Sequence, residues 1–287
     1  MLVSIPFQKE PMARQNQRSA VETTAQMSSV KFANALLVPA ITAQIAFAPE
    51  PQLTNIRQFT RGGRNAEAYF CPDGSDQHLV STGTGATMCS YFLPDAGEIL
   101  DVSTSATDEA CLPRPDKSKG YAWTIYNAYE IDATNGDESN LRTLFAGPGC
   151  DAEATVSARG DRIVFRSSKD GDVELYAMNL DWSDVRHVTY APGYDGGAFS
   201  SRDAREIVYR AHHPTFNLEL AEDRRLLAQQ LVKPTRMEIF SRDTDGASVR
   251  QLALNGAANF ASFFRPADSE IIFSWNMNDP DANRPPP

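Results

Sequence analysis

Three observations predict an all-β fold, a β-propeller of four-stranded antiparallel blades. First, the stretch from Asp151 to Tyr194 resolves by apolar-polar alternation into four short strands, Glu153–Ser157, Arg162–Ser167, Val173–Asn179 and Val185–Thr189. Tight polar turns join them at Ala158-Arg159-Gly160-Asp161, Lys169-Asp170-Gly171-Asp172 and Asp181-Trp182-Ser183-Asp184. Second, the unit recurs. The apolar or β-prone pairs that mark the first strand of each copy are Tyr69-Phe70, Tyr91-Phe92, Thr155-Val156, Phe199-Ser200 and Phe263-Phe264, and they lie 22, 64, 44 and 64 residues apart. Third, an independent register of Leu141-Arg142, Val185-Arg186 and Val249-Arg250 repeats the spacings of 44 and 64. A four-stranded blade takes about 40–45 residues. The shorter interval is therefore one blade, 64 is a blade with a 20-residue insertion, and 22 is half a blade. The expectation is about five blade units, two of them partial, in an incomplete or open ring.

Residues 1–48 precede the repeats. Met1 to about Ser28 is polar and without an apolar period, which reads as disordered chain. From Met27, the run MSSVKFANALLVPAITAQIAFA combines a basic head at Lys31, an apolar stretch and small residues at Ala46 and Ala48. That is the pattern of a secretory signal with translation starting at Met27, and a buried strand or helix is the alternative. Residues 49–277 carry the propeller repeats. Asn55–Thr60 lines up with the outermost strand of the complete blade, so the chain enters the ring on a fourth strand. NAEAYFCPDG then opens a blade whose second and third strands are missing before Gln77. The next blade holds an insertion around Ala106–Lys119, rich in proline and charge, which reads as a surface loop. The blade from Asp195 holds another, around Thr215–Pro234, in which Leu218–Leu231 reads as a short amphipathic helix with Leu220, Leu227 and Leu231 on one stripe. Asn259–Ser274 supplies a last hairpin, with strands three and four missing, and residues 278–287 form a Pro-rich tail.

The totals narrow the function classes. A net charge of -10 argues against nonspecific nucleic-acid binding, which needs surplus Lys and Arg. The four cysteines, Cys71, Cys89, Cys111 and Cys150, have no CxxC spacing, so zinc-ribbon and thioredoxin-type chemistry are not indicated. Cys89 and Cys111 flank the first two strands of one blade and are the disulfide candidates if the protein is exported. No apolar run makes a stable transmembrane helix.

The segments NAEAYFCPDG, CSYFLPDAGEIL, DAEATVSARGDRIVF, ELYAMNLDWSDVRHVT and NFASFFRPADSEIIFS, with the turns Pro72-Asp73-Gly74, Pro94-Asp95 and Met178-Asn179-Leu180-Asp181, resemble the TolB-type β-propeller repeat of exported bacterial proteins. The resemblance covers about Leu53 to Met277. It implies a periplasmic or secreted protein and an interaction role, or the gating domain of a serine oligopeptidase whose hydrolase domain is not in this sequence. Three turns depart from the repeat, at Ala158-Arg159-Gly160, Arg202-Asp203-Ala204 and Pro266-Ala267-Asp268, and Trp182 stands where the family prefers glycine.

No G-x-S-x-G elbow, H-E-x-x-H pair or G-x-x-x-x-G-K loop occurs, so no catalytic residue, cofactor or metal is assigned. His212 and His213 are adjacent, and neighbours on extended backbone point to opposite faces. In a four-stranded meander the link between strands two and three lies at the same end as the link to the next blade. Both insertions are links of the first kind. They should therefore crowd one face with His212, His213, Tyr194 and the acidic first-strand starts Glu67, Asp151, Glu153 and Asp195. The sequence reading is a non-catalytic propeller that binds a protein partner through that face. The alternatives are a sugar-lyase-like or hydrolase-associated propeller, and a truncated fragment of a larger one.

Overall fold

The computed structural model describes residues 2–6, 85–94, 97–108, 110, 120–136 and 139–276. The chain divides into two compact units, Met1–Lys9 with Glu67–Pro287 and Glu10–Ala66, and all described residues belong to the first. The entering strand at Asn55–Thr60, the half blade around Gly74–Gln77, the segment from Met27 and the tail lie outside the described residues.

Three four-stranded antiparallel sheets follow one another. The first takes β2 (Thr87–Phe92), β3 (Glu98–Ser103), β5 (Glu130–Asn135) and β6 (Arg142–Phe145). The second takes β7 (Asp151–Val156), β8 (Arg162–Ser167), β9 (Glu174–Asn179) and β10 (Arg186–His187). The third takes β11 (Tyr194–Ser200), β12 (Glu206–His212), β14 (Glu238–Asp243) and β15 (Arg250–Gln251). A last sheet pairs β16 (Asn259–Phe264) with β17 (Glu270–Trp275). Each expected strand of the complete blade is present, with boundaries shifted by up to two residues.

The first strands pack in succession, β2 on β7, β7 on β11 and β11 on β16. Sheets stacked in this way bury both faces, which explains the unbroken apolar runs of the second strands. In β8, Ile163 and Phe165 join Leu100, Val102 and Ile131 of the preceding blade, whereas Val164 joins Ala198, Ile207 and Tyr209 of the following one. Polar residues on either face would leave two blades without a common core.

Every described first strand carries a β-bulge at the same register. The pairing shifts between Met88 and Tyr91, Ala152 and Thr155, Gly196 and Phe199, and Phe260 and Phe263. The bulged residues Cys89, Glu153, Gly197 and Ala261 take φ of 55°, 56°, 59° and 50°. Left-handed backbone suits glycine, yet only one of the four is glycine. The departing turns behave alike: Ala204 (φ 58°) and Asp268 (φ 51°) reproduce the conformation of Gly160 (φ 69°). Asp268 earns its place by accepting from the Arg202 N–H at 2.9 Å, and so ties two neighbouring turns together. Trp182 (φ 64°) lies under the guanidinium of Arg142 at 5.8 Å, an inter-blade contact that glycine could not make.

Two expectations need correction. Residues 2–6 are not irregular: β1 (Leu2–Pro6) pairs antiparallel with β17, from Leu2 opposite Ser274 to Pro6 opposite Glu270. The C-terminal hairpin thus receives its third strand from the other end of the chain. Five residues of LVSIP carry too little pattern to show this, because a short edge strand is defined by the partner it finds. The helix is also shorter than expected. α1 runs Asn217–Leu227, and Gln230 (φ 57°) turns the chain out of it, so Leu231 enters a strand, β13 (Leu231–Val232). That strand pairs antiparallel with β4 (Trp123–Thr124), which follows the Ala106–Lys119 insertion in the first blade, and the Ile125 N–H donates to the Gln230 carbonyl at 2.9 Å.

Candidate functional site

The insertion of the third blade meets the first blade's link between its second and third strands, just beyond the Ala106–Lys119 insertion, as the β4–β13 ribbon. The ribbon places the Trp123 ring 6.1 Å from Tyr194, 5.7 Å from Phe260 and 5.2 Å from the Arg210 guanidinium. α1 packs beside it and leaves a cavity of about 20 Å³, room for about one water, between Tyr194, His212, Asp223, Leu226, Leu231 and Val232. Its first turn is exposed: Phe216 is 70% and Leu218 86% accessible.

The expected site residues sort into four groups. Glu153 and Tyr194 belong to one buried cluster. The left-handed bulge turns the Glu153 carboxylate inward, where it accepts from the Gly197 N–H at 2.7 Å, the Tyr194 hydroxyl at 3.3 Å and the Arg210 guanidinium. Arg166 stands 3.8 Å from the same carboxylate. Burial pushes the Glu153 pKa up, but Arg210, Arg166 and the Gly197 N–H outweigh it and hold the group below its ordinary value. Burial raises the Tyr194 phenol to about 12. Gly197 is required for this arrangement, since a Cβ there would lie 2.0 Å from Nη1 of Arg210.

Asp195 and His213 form the second group, with Nε2 of His213 3.0 Å from a fully buried Asp195 carboxylate. Glu174 lies against Asp195 across the blade boundary. Burial first, and Asp195 after it, push Glu174 up to about 8. A protonated Glu174 can share its proton with Asp195 while accepting from the Thr189 hydroxyl. His212 faces away from His213, towards Asp223 of α1 at 3.4 Å. The two imidazoles therefore serve separate carboxylates, as their adjacency on a strand requires. Asp151 stands apart, opposite Ser167 in the ladder, with burial raising it to about 6. Glu67 and Cys111 lie outside the described residues, and Cys89 is half-buried against the core of the first two blades.

Sequence reasoning missed Arg166, Arg210, Glu174 and Trp123. A signal for the arginines exists: Ile163-Val164-Phe165-Arg166 and Ile207-Val208-Tyr209-Arg210 are the same motif one period of 44 apart. Among the described residues, no group of three or more His, Cys, Asp or Glu side chains converges as metal ligands would. No described helix is long and apolar enough to cross a membrane.

No protein-family model matches the chain, and no curated protein matches it. Among solved structures it is similar to a protein assigned as TolB from Agrobacterium tumefaciens, at 16% identity and a TM-score of 0.41, over 65% of this chain and 73% of that one. It is similar to TolB from Acinetobacter baumannii at 15% identity and a TM-score of 0.37, over 67% of this chain and 54% of that one. It is also similar to a puromycin hydrolase at 11% identity and a TM-score of 0.40, over 59% of this chain and 22% of that one. These neighbours carry nothing about activity or partners, and the fold rests on the chain's own sheet order and packing.

Proposed function

We propose that the chain is a non-catalytic β-propeller that binds a protein partner through the face carrying both insertions. The observation that supports this most is the pairing between the two links that carry the insertions. A loop of the first blade and a loop of the third, with no local reason to meet, pair as β4–β13 and hold α1 on a rigid base. Loops fixed on a rigid scaffold are where recognition concentrates. On that base Phe216 and Leu218 are large apolar side chains left to solvent at the start of the helix, the kind of anchor that a partner pocket buries. Their exposure has no use in the isolated fold.

Photo-cross-linking from position 218 in the source cells, followed by mass spectrometry, should trap a protein partner. The double variant F216S/L218S should reduce capture by about tenfold or more while leaving the unfolding midpoint unchanged. Capture undiminished by the double substitution would refute the assignment of this face.

A further inference from the structure

We infer that the centre of the propeller, where the first strands converge, holds a binding site for a single oxyanion, a carboxylate or phosphate group, with Arg166 as its main ligand and Arg210 beside it. The side chain of Arg166 is only 5% exposed, and a guanidinium carries five N–H donors. Among the described residues its one hydrogen-bond acceptor is the Cys150 thiol, at 3.5 Å. A thiol is a weak acceptor. The nearest carboxylate, Glu153, is 3.8 Å from Nε, outside hydrogen-bond range, and is already occupied by Arg210, Gly197 and Tyr194. Nε of Arg166 and Nε of Arg210 are both buried without an acceptor. Two guanidinium groups thus share one carboxylate in a site closed to solvent, where an uncompensated charge is strongly unfavourable.

The repeat itself does not demand arginine here. Val102 fills the same register in the first blade and Ser274 in the last, each opposite the equivalent residue of its first strand, Met88 and Phe260, as Arg166 is opposite Ala152 and Arg210 opposite Gly196. The fold accommodates an apolar or small side chain at this place. Two buried arginines in adjacent blades are therefore an addition to the fold. Their unfilled donors match the planar fork by which arginine takes a carboxylate or phosphate. The Trp123 ring lies 5.2 Å from the Arg210 guanidinium, and in so buried a setting charged contacts are stronger than in water.

The test is titration calorimetry and thermal unfolding of the full chain with inorganic phosphate, acetate and chloride at constant ionic strength. Saturable binding and a rising midpoint with phosphate or acetate, but not with chloride, are expected, and the arm that saturates at lower concentration identifies the oxyanion class. R166Q should weaken binding by about tenfold or more. E153Q removes the competing carboxylate and should tighten it several-fold, a change of opposite sign that a purely structural ion pair would not produce. Equal responses to all three anions, or oxyanion binding that survives R166Q, would overturn the inference. If R166Q does not fold, E153Q decides alone: tighter binding supports the site and unchanged or weaker binding refutes it.

Discussion

Glu153 shows how one residue can run against local preference for a distant reason. A non-glycine residue at φ 56° is strained, at a cost of about 1 kcal/mol or more. The same bulge accepts Gly197 and Ala261, so the glutamate is kept for its carboxylate, which meets Arg210, Tyr194 and Gly197 from the next blade. Gly197 is the complementary case, where the absence of a Cβ lets Arg210 approach the backbone. Gly197→Ala should destabilise the protein by about 2 kcal/mol or more, through strained φ and displacement of Arg210 from Glu153. Urea unfolding measures this. Ala261→Gly, at the equivalent bulge, should be neutral or stabilising, because there the glycine only relieves strain. Equal losses at both sites would show that the bulge itself, and not the arginine contact, sets the requirement.

Among the elements, β1 has the largest consequence for its size. It supplies hydrogen-bond partners to β17, whose other edge is taken by β16. Without it the last blade would be a two-stranded hairpin, which has little stability alone. Deleting residues 1–6 should speed amide exchange in Glu270–Ser274 by on the order of tenfold or more, with little change in β8 and β9. Unchanged exchange would mean that the pairing does not persist in solution. The same strand bears on export. A mature chain cut after Ala48, or one started at Met27, has no β1, so the signal reading and the β1–β17 pairing cannot hold in one molecule. The mass of the mature N-terminus distinguishes them. α1 makes the converse point. Its apolar period runs on to Leu231, but the helix ends at Leu227 and the chain turns at Gln230, so that Leu231 and Val232 become ladder partners of Thr124 and Trp123.

For the molecule as a whole, buried acids make stability depend on pH. Burial raises Asp101 and Asp151 to about 6 and Glu174 to about 8. The folded state therefore holds these protons more tightly than the unfolded chain. The stability so gained is complete below the ordinary carboxylate range and is lost as pH rises through about 6 and then about 8. The unfolding midpoint should fall by several degrees between pH 5 and pH 9, as on the order of 1–2 kcal/mol would produce. E174Q should flatten the limb between pH 7 and pH 9, and a midpoint that rises across this range would contradict the assignment. Asp101 and Asp132 are opposite each other in the ladder, where the next two blades place the aromatic pairs Phe165 with Tyr176 and Tyr209 with Phe240. The sequence alone determined the period, the strands of the complete blade and the turns, because these follow from alternation and turn chemistry within a few residues. Only the tertiary structure decided that β1 joins β17, that β4 pairs with β13, and that two arginines share one glutamate. The two strand pairings and the Glu153–Arg210 contact join parts of the chain more than forty residues apart, a distance that alternation within a few residues does not encode.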